Sequence, residues 1–217
     1  MKLKKLSYID LLIERYPPLA DCGPAVEWAA ASICRCHLDG GKVLLCGNGG
    51  SAADAEHIVG ELAKGFVLPR SISEQDKELL IAQHGDAGEH LANHLQRGVR
   101  AFALGGGSPL ATAIANDGDP GLVFSQMTYV FGQPGDILIG ISTSGNSKNI
   151  VAALKVARTF GMRTIGMTGS KPGTMDSLCD AIIKVPATET FKVQEYHLPI
   201  YHAICLTVEA ELFGDKI

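Results

Sequence analysis

Five short apolar runs restrict this chain more than anything else in it: KVLLCG (42–47), VRAFAL (99–104), DILIGIS (136–142), MRTIGMT (162–168) and AIIKV (181–185). Each has the length of a β-strand. Between most of them the apolar residues recur at helical spacing, over 52–64 and 146–160, with a last helix over 194–212. Parallel neighbours need a crossover, and the crossover helix must cover the sheet, so strand–helix alternation predicts an α/β fold with a parallel sheet covered on both faces. In such sheets ligands bind beyond the carboxyl ends of the strands. Two further helices are expected at the start, one over 7–16 carrying Ile9, Leu11, Leu12 and Ile13, and one after Asp21, capped near Pro24.

At 217 residues the chain can bury one good core, and no Pro/Gly/Ser linker divides it, so a single domain over 1–217 is expected, with an N-terminal helical segment over 1–40. The net charge of -4 offers no basic patch for direct nucleic-acid binding. No run approaches the roughly 20 apolar residues of a membrane span. The opening MKLKKLSYIDLLIERY starts like a leader peptide, but Asp10 and Glu14 interrupt its apolar core, which favours a cytoplasmic protein. The six cysteines read as reduced core residues, and Cys34-Arg-Cys36-His37 matches no common zinc spacing.

One segment departs from the alternation. Residues 69–97 are polar and contain His84, His90 and His94, which reads as a solvated helical hairpin or a lid. His90 and His94 share a helix face there without an obvious third metal ligand.

Two strand-to-helix junctions carry chemistry. After the first run, Gly47-Asn48-Gly49-Gly50-Ser51 opens a helix, and the free N–H groups and positive dipole end of that helix make an anion site. The same letters satisfy a dinucleotide fingerprint, but the segment after Phe66, VLPRSISEQDK, lacks the strand ending in an acidic residue that this would require. After the third run, Ser142, Thr143, Ser144 and Ser147 crowd hydroxyls around Gly145, more than a helix cap needs, and so favour phosphate. His57 and Glu61 share one face of the helix below the first turn, and Gln194, His197 and His202 lie near the start of the last helix. Together they could hold a divalent metal or carry protons. Gln194 and His202 would stand about 12 Å apart along a regular helix, and Pro199 between them predicts a kink or a helix start.

The combination GNGGSAADAEH, TAIANDGDPGLVFSQ, GDILIGISTSGNSKNI and VQEYHLPIYH resembles the sugar isomerase (SIS) domain and, within it, the phosphoheptose isomerases. The resemblance runs from about Lys42 onward. It implies a flavodoxin-like SIS domain in homotetramers, with active sites at subunit interfaces and a phosphorylated sugar as substrate. It implies conversion of sedoheptulose 7-phosphate to D-glycero-D-manno-heptose 7-phosphate through an enediol. Phosphate would fall to Ser142, Thr143, Ser144 and Ser147, assisted by the turn Asn48, Gly49, Gly50 and Ser51, with Asn116, Asp117 and Gln194 lining the pocket. The acid–base pair maps onto Glu61 and His202. Zinc, one per subunit, maps onto His57, Glu61, Gln194 and His202.

Three departures from that family stand out. Gly65 occupies a position where some members carry arginine, so either Lys64 or Arg70 replaces it or the phosphate grip differs. Phe191, beside Glu189, replaces an aspartate found in some members. The 69–97 insertion looks long for the family. Two rival functions share the resemblance: an adaptor similar to the DnaA-initiator-associating protein, and an isomerase of another phosphosugar. Retention of His57, Glu61, Gln194 and His202 together favours an enzyme over the adaptor.

Overall fold

A computed structural model of the protein describes residues 7–105 and 108–214. Residues 1–6, which carry the basic start of the leader-like opening, lie outside them. The five apolar runs form β1 (Val43–Gly47), β2 (Ala101–Ala103), β3 (Ile137–Ile141), β4 (Arg163–Thr168) and β5 (Ala181–Lys184). All pairings are parallel, in the order β2-β1-β3-β4-β5. That is the flavodoxin-like order, and its direction reverses between β1 and β3, where a ligand crevice is expected. β1 and β3 are buried at every position, which explains why they read as continuous apolar runs rather than alternating ones.

Helices cover both faces. On one side lie α1 (Tyr8–Arg15), α2 (Gly23–Leu38), α3 (Gly50–Ala63) and α9 (Thr190–Phe213), with Leu19, Val26, Ile33, Val43, Leu45, Ile139 and Ile204 in their shared core. On the other, α7 (Val123–Phe131) and α8 (Lys148–Thr159) pack Met127, Ile150 and Leu154 against Leu44, Cys46 and Leu138. α6 (Pro109–Asp117) and α7 fill the β2-to-β3 connection, which the apolar spacing did not single out as helical.

Two helix starts differ from the sequence reading. Ser7 and Asp10 form a reciprocal capping box on α1, but Asp21 caps nothing: it lies in a 3₁₀ turn, Pro17–Cys22, that runs directly into α2. α9 starts at Thr190, before Gln194, and continues through Pro199, so the proline neither starts nor ends it. Its tertiary packing outweighs the one backbone bond that proline removes.

The polar segment is indeed a helical hairpin, α4 (Glu74–His84) and α5 (Asp86–His94), turned at Gly85 with φ 56°. α4 buries no residue and α5 only Gly88 and Ala92. The base is closed by a Ser71–Gln96 bridge and by the Arg97 amide donating to the Arg70 carbonyl at 2.6 Å. The His90 and His94 rings stack 4.3 Å apart, and His94 Nδ1 lies 2.7 Å from the His90 carbonyl. Among the described residues no group of three or more His, Cys, Asp and Glu side chains forms a ready metal cage, here or elsewhere.

Candidate active site

At the reversal point the two predicted turns face each other across the ends of β1 and β3. Gly49 adopts φ 57° and ψ -122°, a backbone region that favours glycine. A side chain on Gly47 would strike the Ser51 carbonyl, and one on Gly50 would strike the Gln194 amide, so α9 reaches the first turn through Gln194. No side chain caps the N-terminus of α3, and the amides of Ser51 and Ala52 turn back to the Asn48 and Gly49 carbonyls at 3.1 and 3.0 Å. An anion here would meet the amides that precede them and the positive end of the helix dipole.

The second turn is a hydroxyl cluster. Ser142 Oγ lies 2.9 Å from Ser147 Oγ and 3.5 Å from Ser144 Oγ. Ser147 occupies the N-cap position of α8 but makes no capping bond with its side chain. The hydroxyls thus do more than end a helix. Asn146 braces the loop from behind, its Oδ1 accepting from both the Thr174 amide and hydroxyl at 2.9 Å. Asn149 joins the two turns: its Nδ2 donates to Asn48 Oδ1 at 2.9 Å, and Asn48 Nδ2 donates back to Asn149 Oδ1 at 3.0 Å. Sequence reasoning missed Asn149, whose only signal was its place in the first turn after the serine-rich loop.

A third group lies lower on α3 and α9, which run side by side in the same direction. His57 Nε2 is 3.2 Å from Glu61 Oε1, and Lys64 donates to Glu61 Oε2 at 3.3 Å. From α9 the Tyr201 hydroxyl comes within 2.9 Å of His57 Nδ1, and the His202 ring packs edge-on against His57 at 5.1 Å. Phe66 and Tyr201 close around His202 at 5.4 and 5.0 Å. Its Nε2 is buried without a hydrogen-bond partner. Burial holds the His202 imidazole below its ordinary pKa, the His57 ring adds to that, and Glu61 opposes it. Asp54 is raised by burial against the pull of its hydrogen bond to Tyr201 and the charge of His57. Neither Asp54 nor Tyr201 stood out in the sequence.

Several anticipated residues lie elsewhere. Gln194 sits at the Gly50 turn, not with His202. His197 points away from the cluster, fully buried near Thr168 at the end of β4, and burial lowers its pKa to about 4, opposed by the Thr168 backbone carbonyl, which favours the protonated ring. Asn116 and Asp117 end α6, where Asn116 Nδ2 donates to Asp117 Oδ1 at 2.9 Å. Asp117 lines a pocket of about 390 Å³ with Leu110, Ile114 and Met127. Within the chain neither residue hydrogen-bonds to the two turns.

Arg70 corrects a specific expectation. It is fully buried, donating from Nε to Glu209 Oε1 at 2.8 Å, from NH1 to the Leu62 carbonyl and from NH2 to the Glu61 carbonyl. It caps the end of α3 and cannot replace the missing arginine in holding phosphate; exposed Lys64 is the cation beside Glu61. Phe191 is exposed on the first turn of α9, and neighbouring Glu189 is engaged by Lys192 at 2.7 Å.

The donor types of His57, Glu61 and His202 suit zinc, but the three side chains do not form a ready metal cage within one chain. His57, Glu61 and His202 supply two imidazoles and a carboxylate, the ligand types zinc prefers, and His202 Nε2 has no competing partner. Gln194 is too far along the helix to join them within one chain.

The SIS domain family model matches residues 20–98 and 98–169. A phosphoheptose isomerase of Burkholderia pseudomallei is 41% identical over 177 residues, 82% of this chain and 77% of that protein. One of Aneurinibacillus thermoaerophilus is 38% identical over 191 residues, covering 88% and 83%. The solved structure of the phosphoheptose isomerase from Neisseria gonorrhoeae has a TM-score of 0.68 to this chain at 31% identity, covering 92% of this chain and 91% of that one.

Proposed function

The chain belongs to the SIS domain family, within its phosphoheptose isomerases, and from that membership we propose that it interconverts sedoheptulose 7-phosphate and D-glycero-D-manno-heptose 7-phosphate. The observation that carries the reading is the meeting of Glu61, His57 and His202 from two helices far apart in sequence. An adaptor would have no need of it.

Moving a carbonyl between adjacent carbons requires one proton to pass between carbons and another between oxygens. Glu61 is the group to take the proton from C1 and return it to C2, passing through an enediol. His202, held neutral by burial and with Nε2 unpartnered, suits the oxygens, giving a proton to O2 and accepting one from O1. Lys64 Nζ lies 3.3 Å from Glu61 Oε2 and places a positive charge beside it. The two turns, Asn48 to Ser51 and Ser142 to Ser147, anchor the phosphate. Zinc held by His57, Glu61 and His202 would polarise the substrate oxygens and steady their negative charge.

A homotetramer with sites between subunits would let Gln194, Asn116 and Asp117 of a neighbour join a site that they miss within their own chain. No helix among the described residues is long and apolar enough to cross a membrane, and a cytoplasmic location goes with six unpaired cysteines.

The test is turnover of sedoheptulose 7-phosphate by purified, metal-analysed protein. Isomerisation that disappears in His202→Ala supports the reading; a folded wild-type protein that is inert with added zinc, yet turns over a shorter phosphosugar, moves the assignment to that sugar.

A further inference from the structure

A phosphate held by the hydroxyl-rich turn would carry close to two negative charges at neutral pH, yet that turn, Ser142 to Ser147, contains no cation. It offers hydroxyls, amides and the partial positive charge at the start of α8. Most of the cations around it are committed elsewhere. Arg70 is buried against Glu209, and Lys64 lies beside Glu61. At the carboxyl edge of the sheet Lys184 is paired with Asp176 and Lys192 with Glu189, each at 2.7 Å.

Two lysines next to the turn, Lys148 and Lys171, are exposed and make no ion pair or hydrogen bond among the described residues. Lys148 opens α8. Ile150, two residues on, is fully buried over Gly140 of β3, and two helical residues turn through about 200°, so Lys148 faces away from the sheet.

Lys171 lies in the loop after β4, which is bound to the hydroxyl-rich turn on both sides of it. Before it, the Gly169 amide donates to the Thr143 carbonyl at 3.1 Å. After it, the Thr174 amide donates to Asn146 Oδ1 at 2.9 Å and the Met175 amide to the Gly145 carbonyl at 3.1 Å. Gly173 passes so close that a Cβ on it would strike the Gly145 backbone. Lys171 is two residues from Gly173, at most about 7 Å of extended chain, and its stem adds about 6 Å from Cα to Nζ. An ammonium on that tether can meet an anion resting over Gly145.

We propose that Lys171 supplies the positive charge for the substrate's phosphate, its ammonium pairing with an oxyanion held by the hydroxyls and amides of Ser142 to Ser147. This rests on the phosphosugar reading of the same turn. Because the loop is already fixed to the turn, binding has to order only the lysine stem.

The experiment titrates inorganic phosphate into wild-type, Lys171→Met, Lys171→Arg and Lys148→Met protein by calorimetry, and measures KM and kcat for sedoheptulose 7-phosphate with the same four. Loss of one charge-assisted contact should weaken phosphate binding and raise KM about 10-fold in Lys171→Met, with kcat little changed. Lys171→Arg should recover most of that loss, which a packing defect in the loop would not allow. Lys148→Met should stay within about twofold of wild type. Phosphate affinity unchanged in Lys171→Met, no phosphate binding by the wild type, or a loss that falls on Lys148→Met instead overturns the proposal. Phosphate binding that depends on Lys171, in a protein that turns over no heptose phosphate, overturns the heptose reading instead and leaves the role of the lysine standing.

Discussion

Two charged groups sit about two turns apart along the same pair of helices, and they are built in opposite ways. Arg70 and Glu209 are both fully buried, and every nitrogen and oxygen of the two charged groups has a hydrogen-bond partner: Glu209 accepts from Arg70 and from the amides of Phe66, Val67 and Leu68, while Arg70 also reaches two carbonyls at the end of α3. In the His57, Glu61 and His202 group, His202 Nε2 has no partner, while Glu61 meets His57 Nε2 at 3.2 Å and Lys64 at 3.3 Å. A buried polar group that is fully satisfied holds the fold together, whereas one left wanting is kept for a ligand. The neighbouring positions therefore divide stability from reactivity.

That division can be broken most sharply at Glu61. Glu61→Gln should lower kcat by about 10² to 10⁴-fold while shifting stability by no more than about 0.5 kcal/mol; a stability loss as large as that at Glu209 would erase the contrast. Glu209→Ala strands a buried guanidinium and should cost about 3–5 kcal/mol in denaturant unfolding. Replacing both partners, as in Arg70→Met with Glu209→Leu, should cost less than Glu209→Ala alone, because no charge is then left unpaired.

Acid should expose the same difference. His197 titrates near 4 in the fold against an ordinary 6.5, so the unfolded chain binds the extra proton between those values. Stability should fall as pH drops from about 6.5 to 4, by about 3 kcal/mol from this group, and His197→Phe should flatten that limb of a pH-dependent unfolding series. Glu209 acts lower still. Burial works against its ionisation, but the amides of Phe66 and Val67 and the Arg70 guanidinium outweigh burial and depress its pKa below 4.5. Its contribution is complete above 4.5 and is lost as pH falls through the folded value. The smallest effect belongs to the crevice: Asn149→Ala removes one side of the amide pair with Asn48, worth about 1 kcal/mol, and should raise KM about fivefold with kcat little changed in steady-state kinetics.

The crevice was legible because its parts are local. A strand, a glycine turn and a helix start lie within a few residues of one another, and so do the hydroxyls of 142–147, so backbone geometry and spacing suffice to place them. The helix caps were less secure: Asp21 has the right chemistry for a cap, but the 3₁₀ turn that absorbs it is set by Pro17 and Pro18 and by burial of Leu19 and Cys22. The His57, Glu61 and His202 group was legible only as residue types. His57 and Glu61 share a helix face by spacing alone, but Tyr201 is 144 positions from His57, and nothing local foretells their bond.

The order of strands and helices, the parallel sheet and the glycine-rich and hydroxyl-rich turns were determined by the sequence itself, because each depends on periodicity and on turn chemistry within a short window. Tertiary structure alone decided that α3 and α9 run side by side in one direction. That pairing sends Gln194 to the turn and His202 to Glu61, buries Arg70 where exposure would have let it bind phosphate, and sets Tyr201 against His57. The physical reason is that side chains far apart in sequence meet only where buried apolar faces of their helices dock, and the register of that docking is a property of the whole core.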